Sequence, residues 1–103
     1  MPEGTDSADA WQRQLADLWE RRRPAMIERI ENLERLAASS DPPPEQIEEG
    51  RTEAHKLRGL LGTIGLPAGS DAAGEVEDLL AAGDVAIGEP LGRLGALVRE
   101  HEA

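Results

Sequence analysis

Apolar residues recur in the first third of the chain at intervals of three and four, the spacing of one face of an α-helix. They form two runs, which comprise Trp11, Leu15, Leu18 and Trp19, and then Ile27, Ile30, Leu33 and Ala37. Asp6 or Ser7 can cap the first helix with a side-chain oxygen. Because proline lacks an N–H and clashes with the preceding turn, Pro24 predicts that the first helix ends or kinks there and that a second begins.

The clearest break in the chain is the segment Ser39–Pro44, which ends in three consecutive prolines. Such a run cannot continue a helix, so it predicts a stiff connector, with Pro44 able to open the next helix. An apolar seam then follows at steps of three and four, through Ile47, Gly50, Ala54, Leu57, Leu61 and Ile64. This helix is expected to end near Gly65, because Pro67 follows shortly after.

Two more helices are predicted in the last third of the chain. Ser70 can cap the first of them, and Gly83 is expected to end it. The last helix follows Gly88, and the apolar sides of the two helices are Ala72, Val76, Leu79 and Leu80, and then Leu91, Leu94, Leu97 and Val98. Short links make neighbouring helices antiparallel. We therefore predict an all-α, antiparallel up-down four-helix bundle over residues 7–103, with a short additional N-terminal helix and a flexible N-terminus at residues 1–6.

Composition narrows the range of partners. The chain of 103 residues carries 21 acidic and 11 basic side chains, a net charge of −10, and no cysteine. This charge would repel a phosphate backbone or an anionic membrane surface, so nucleic acid and membrane are not expected partners. No secretory signal pattern or membrane-spanning apolar run is present. A cytoplasmic protein that binds another protein is therefore expected. Because the predicted helices form a bundle by themselves, we also expect a monomer.

One helical segment combines a histidine with residues suited to phosphoryl chemistry. If the apolar seam faces the core, His55 lies beside it and tilts towards solvent. Gly59 and Gly62 follow at i+4 and i+7, on the same face, where a larger side chain would overhang the imidazole. Each interior glycine costs the helix about 1 kcal/mol relative to alanine. These positions predict a ring left accessible to a partner.

Basic side chains surround this histidine in the sequence. Arg58, at i+3, can lean back beside the His55 ring, and Arg51 and Lys56 add positive charge nearby. Neutral imidazole is a nucleophile, and a guanidinium offsets the charge of arriving phosphoryl oxygens. The segment therefore predicts phosphoryl capture by His55, with Arg58 stabilising charge and Arg51 and Lys56 as lesser helpers.

The segment resembles the signature of the histidine phosphotransfer (HPt) family. The residues that match are His55, Leu57, Arg58, Gly59 and Gly65, and the spacing of Ala73, Val76 and Glu77 is similar to the family's next helix. The resemblance implies a four-helix bundle that carries a phosphoryl group between receiver-domain aspartates in two-component phosphorelays. It also implies a carrier without self-standing catalysis, which binds no cofactor itself, since Mg²⁺ belongs to the receiver. Receiver domains and a hybrid histidine kinase are the implied partners.

Three features depart from the family's usual pattern. Arg58 stands where lysine is common, which keeps the charge and changes the geometry. Leu60 and Lys56 occupy places often given to small residues, and Leu60 is predicted to contribute to partner docking. The connector at residues 42–44 is longer than the family's usual turn.

Other interpretations of these residues stay open at this point. The chain could be a phosphorylation-independent helical adaptor or inhibitor that binds a receiver or kinase domain. Gly59 and Gly62 could instead allow close helix packing, and Lys56 could pair with Glu53. His101 is expected to be a surface residue near a frayed end, so no metal site is predicted.

Overall fold

Four helices make up the part of the chain that the structure, a computed structural model, describes, which is residues 3–102. They are α1 (Glu3–Ala38), α2 (Pro44–Ile64), α3 (Pro67–Ala81) and α4 (Gly88–Glu100). Within these residues there is no β-strand. Each helix packs against its neighbours in sequence, and α4 closes the bundle against α1. The predicted all-α, up-down four-helix bundle is confirmed.

Two contacts between α1 and α2 show that these neighbouring helices run antiparallel. Between α1 and α2, Arg29 pairs with Glu53, while a residue further along α1, Leu36, lies against the earlier α2 residue Gly50. Because α1 has 36 residues, it is about 54 Å long at 1.5 Å per residue and exceeds its partners. The molecule is accordingly elongated, with extents of 61 × 20 × 20 Å.

Prolines and glycines determine several helix ends as the sequence predicts. Pro43 has the extended conformation (φ −68°, ψ 156°) and Pro44 is the first residue of α2. Gly65 adopts the left-handed conformation (φ 91°), and the N–H groups of Gly65 and Leu66 donate to the carbonyls of Gly62 and Leu61. This is a Schellman motif, which favours glycine because a Cβ would be strained there. Gly65 therefore ends α2, close to where the sequence predicts the end of this helix.

The separate N-terminal helix is not confirmed, because α1 continues through Pro24 without a break. A proline inside a helix costs about 3 kcal/mol. Trp19 and Met26, on either side of Pro24, are both buried against the bundle, and so is Ile30. Burying such side chains contributes about 1.5–3 kcal/mol each, which offsets the proline. Packing thus joins the two predicted helices into one.

Two predicted N-caps are also wrong. α1 begins at Glu3, ahead of Asp6 and Ser7, and α3 begins at Pro67 rather than after Ser70. Proline suits the first turn of a helix, because its φ is already helical and its missing N–H has no partner to lose. Of the predicted flexible terminus, residues 1–2 lie outside the described residues, and the flexibility of the remainder stays a prediction.

Most of the core comes from the apolar seams that the periodicity predicts, but in α1 the buried side is shifted, because Met26 and Leu36 are buried while the predicted Ile27 and Ala37 are half-buried. The buried apolar residues are Trp19, Met26, Ile30, Leu33, Leu36, Ala54, Leu57, Leu61, Ile64, Ala72, Ala73, Val76, Leu80, Ile87, Leu91, Leu94 and Val98. Trp11, by contrast, is 62% exposed. His101, expected at the surface, is half-buried and packs edge-on against Trp19, with 4.5 Å between ring centroids.

None of the helices within residues 3–102 has both the length and the apolar character needed to cross a membrane.

Candidate functional site

His55 projects from the middle of α2 at the edge of the groove between α2 and α3. Its neighbours Ala54 and Leu57 are fully buried and fix the orientation of the helix. Since successive helical residues are 100° apart, this places His55 beside the seam and not within it. Its side chain is 71% exposed. The imidazole is therefore held by a rigid element and open to a partner.

One ring nitrogen of His55 has a partner on α3. The His55 Nδ1 atom lies 2.7 Å from Oε2 of Glu77. An ionised carboxylate only accepts hydrogen bonds, so the shared proton belongs to Nδ1. In the neutral imidazole, the other nitrogen, Nε2, then carries the lone pair. This hydrogen bond selects the tautomer in which the exposed nitrogen is nucleophilic.

Glu77 also receives the side chain of Arg58. Nη1 of Arg58 donates to Oε1 of Glu77 at 3.3 Å, so the two carboxylate oxygens have one partner each. The Glu77 side chain is only 12% exposed, whereas that of Arg58 is 53% exposed. A buried carboxylate requires such partners, because burial removes its hydration. The three side chains form a histidine–glutamate–arginine cluster, which we call the His55 cluster.

The sequence did not single out Glu77 as a site residue. A signal was present, because Glu77 lies four residues after Ala73 and three before Leu80, both of which are buried. A charged residue on the apolar side of a helix requires a partner across the interface. The identity of that partner depends on the register between α2 and α3, which periodicity within one helix does not give.

The glycines of the segment have different surroundings. A Cβ added to Gly59 would meet no atom within 4 Å, so the space beside it is open. A Cβ on Gly62 would lie 3.5 Å from Oγ of Ser70, an ordinary contact with α3. Gly59 therefore borders open space near His55, and Gly62 lies against the neighbouring helix.

The basic residues on either side of His55, Arg51 and Lys56, differ in whether they form an ion pair. Arg51 forms an ion pair with Glu48, with 2.8 Å between Nη2 and Oε1. The pKa of Arg51 is raised above its ordinary value. The main cause is this hydrogen bonding to Glu48, and the negative charge of Glu77 adds to the increase. Lys56 is exposed and forms no ion pair within residues 3–102, and Glu53, which could pair with it at i−3, pairs with Arg29.

Leu60, the residue predicted for partner docking, is half-buried and packs against the core. Part of its side chain remains at the surface of α2, one turn beyond Lys56. Among the described residues, no group of three histidine, aspartate or glutamate side chains is arranged to hold a metal ion.

Comparison with known proteins assigns the chain to a family. A family model, the Hpt domain, matches residues 7–103. Neither the comparison with curated proteins nor that with solved structures found a match. Hpt domains act in histidine phosphotransfer within phosphorelays, as phosphoryl carriers rather than catalysts, together with receiver and kinase components. The match covers almost the whole chain and agrees with its helical bundle, so this protein belongs to the Hpt domain family.

Proposed function

We propose that His55 accepts a phosphoryl group on Nε2 from the aspartyl phosphate of a receiver domain and passes it to another receiver. The observation that carries the proposal is the exposed imidazole whose Nδ1–H is held by Glu77 at 2.7 Å. An attacking nitrogen needs a free lone pair and an open approach, and this arrangement offers both. The family match supports the same reaction class.

The proposed step requires no proton transfer. The Nε2 lone pair forms the N–P bond while the bond between phosphorus and the aspartyl oxygen breaks, and the aspartate leaves as a carboxylate. The imidazole gains positive charge as the bond forms. Since Glu77 already holds the Nδ1–H, its carboxylate stabilises that charge without rearrangement. The reverse step returns the phosphoryl group to a receiver aspartate by the same path.

Arg58 would stabilise the transferred group. Its guanidinium is half-exposed, lies beside His55 on the shared carboxylate of Glu77, and retains donors that face solvent. Guanidinium groups bind phosphoryl oxygens through such donors. Lys56 would add a mobile charge, and Arg51 would contribute less because Glu48 already engages it.

The proposed partners are response-regulator receiver domains, with a hybrid histidine kinase as a further candidate. Mg²⁺ would be held by the receiver, and this chain would supply the nucleophile. The docking face would surround His55 and include Leu60, whose partly exposed side chain offers apolar area. We expect the chain to act as a cytoplasmic monomer.

The proposal is tested by incubating the protein with a panel of phosphorylated receiver domains. The wild type is compared with His55→Gln and, as a matched control, with His101→Gln. We expect acid-labile, base-stable label on the wild type and on His101→Gln, and none on His55→Gln. The receiver that reacts fastest then identifies the preferred partner.

A different result would favour the second candidate function. If no receiver labels the wild type while binding remains detectable, and if His55→Gln binds equally well, the carrier proposal is wrong. The protein would then be a phosphorylation-independent adaptor or inhibitor that uses the same face.

A further inference from the structure

We infer that Gly74 is a positioning residue, which seats the guanidinium of Arg58 so that it lies against Glu77. The inference deepens the proposed function and rests on it for its link to phosphoryl transfer. It starts from a stripe on α3, where Ser70, Gly74 and Glu77 are spaced at i, i+4 and i+7 and share one face of the helix. All three residues meet Arg58 of α2, and we call them the Arg58 seat.

Each member of the Arg58 seat contacts a different part of Arg58. The hydroxyl of Ser70 donates to the backbone carbonyl of Arg58 at 2.9 Å. A Cβ on Gly74 would lie 3.2 Å from Nε and 3.4 Å from both Cδ and Cζ of Arg58. Glu77 accepts from Nη1 at 3.3 Å. The arginine side chain therefore lies along α3, with the backbone of Gly74 beneath its inner end and the carboxylate at its tip.

The close approach at Gly74 requires the absence of a side chain. Separations of 3.2–3.4 Å from a Cβ are tighter than most van der Waals contacts, so a methyl group would displace the Arg58 guanidinium by a few tenths of an ångström from its position against α3. Glycine is less favourable than alanine within a helix, and Gly74 is buried at its centre. The contact with Arg58 explains why glycine, and not alanine, occupies position 74. Neither Ser70 nor Glu77 can take this role, because both contact Arg58 through their own side chains.

A seated guanidinium has a consequence for the reaction. Arginine's donors have a fixed planar geometry, so their direction depends on where the plane rests. Gly74 and Glu77 hold the guanidinium plane of Arg58 in one position. Its remaining N–H donors therefore point in fixed directions, and the arginine does not have to sample many rotamers before it binds a phosphoryl oxygen. Gly74 thus acts through Arg58 and does not itself contact the phosphoryl group.

The test combines Gly74→Ala with Arg58→Ala in a double-mutant cycle, measured as the rate of phosphoryl transfer from the most reactive receiver. In the wild-type background we expect Gly74→Ala to slow transfer about threefold to tenfold, as for partial loss of a charged hydrogen bond. In the Arg58→Ala background it should have no further effect. Gly92→Ala on α4 is the control, because a Cβ there meets no atom within 4 Å.

A second readout does not depend on transfer. The Nε–H signal of Arg58 in ¹⁵N–¹H NMR spectra should move in Gly74→Ala and stay in place in Gly92→Ala, while the melting temperature of Gly74→Ala does not fall. An unchanged Arg58 signal, or an equal loss of transfer in both backgrounds, would overturn the role of Gly74. If no receiver labels the wild type, the proposed function fails, and the Arg58 signal still decides whether Gly74 seats the guanidinium.

Discussion

The two histidines of the chain, His55 and His101, lie in surroundings of opposite character. His55 is 71% exposed on the middle of α2, and a buried carboxylate holds its Nδ1 atom. His101 follows the end of α4, is half-buried, and packs edge-on against Trp19. Within residues 3–102, no side-chain hydrogen bond involves the His101 ring, whereas the His55 ring is fixed by one.

The two imidazoles are the same chemical group, so the difference in their surroundings favours a different role for each. At His55 a hydrogen bond selects one tautomer and leaves the other nitrogen exposed, which suits a nucleophile. At His101 the ring contributes contact area to a buried tryptophan. Substitutions near His55 should therefore change phosphoryl transfer, and substitutions near His101 should change stability.

The largest effect is expected at the tryptophan beneath His101. Trp19 is 1% exposed, so Trp19→Ala should lower the free energy of unfolding by about 3–5 kcal/mol. The matched control is Trp11→Ala, since Trp11 is 62% exposed on the same helix and should change stability by no more than about 0.5 kcal/mol. Urea unfolding followed by circular dichroism measures both. Equal losses for the two variants would contradict the assignment of Trp19 to the core.

Next in size is the loss of the carboxylate beside His55. Glu77→Ala removes the hydrogen bonds to His55 and Arg58, and a loss of about 1.5–3 kcal/mol corresponds to transfer slower by about 10- to 150-fold. Glu77→Gln keeps an acceptor oxygen and should fall between this variant and the wild type. Glu75→Ala, at an exposed position of α3, is the control. The account would be wrong if Glu77→Ala transferred as fast as Glu75→Ala.

A smaller effect is expected at Gly59, where the structure has open space. Gly59→Ala should raise the free energy of unfolding by about 1 kcal/mol, because alanine favours the helix. Transfer should be unchanged, since the added methyl group would meet no atom within 4 Å, the His55 ring included. Gly59→Leu, by contrast, should slow transfer by obstructing the approach of a receiver. Slower transfer in the alanine variant would mean that access to His55 is tighter than the geometry indicates.

The smallest effect concerns an ion pair between α1 and α4. Two hydrogen bonds from Arg99 hold the pKa of Glu34 below its ordinary value of 4.5. A carboxyl with a lowered pKa stabilises the fold above its unfolded pKa, and this contribution is lost as the pH falls through the folded value. Because the pair is partly exposed, Glu34→Gln should lower stability at pH 7 by less than about 1 kcal/mol.

The pH dependence of that difference distinguishes the ion pair from a packing effect. The gap in unfolding free energy between wild type and Glu34→Gln should narrow as the pH falls below 4.5, where the wild-type carboxyl becomes protonated. Glu28→Gln is the control, because Glu28 is exposed on the same helix and forms no ion pair within residues 3–102. A gap that persists at low pH would assign the loss to packing.

Much of the fold could be predicted from the sequence, because prolines, glycines and apolar spacing act locally. Pro44, Gly65 and Gly83 mark helix ends, and the structure has Gly65 and Gly83 at positive φ. The prediction that a separate helix begins at Pro24 was wrong for a physical reason. A proline penalty is local, whereas the burial of Trp19 and Met26 that offsets it depends on packing against other helices.

The residues of the candidate site also differ in whether the sequence alone predicts that they lie together. His55 and Arg58 share one helix, so their spacing alone predicts that both side chains reach the same region. Glu77 and Gly74 belong to the next helix, and their positions opposite His55 and Arg58 depend on the register between α2 and α3. That register follows from a tight turn at Gly65 and from core packing, which no pattern within α3 reveals.

The central claim is that Nε2 of His55 carries the phosphoryl group, and long-range ¹H–¹⁵N NMR on the phosphorylated protein tests it most directly. We predict that phosphorylation shifts Nε2 of His55, leaves its Nδ1 protonated beside Glu77, and leaves both nitrogens of His101 unchanged. A phosphoryl group on Nδ1 of His55, or on His101, would contradict the account.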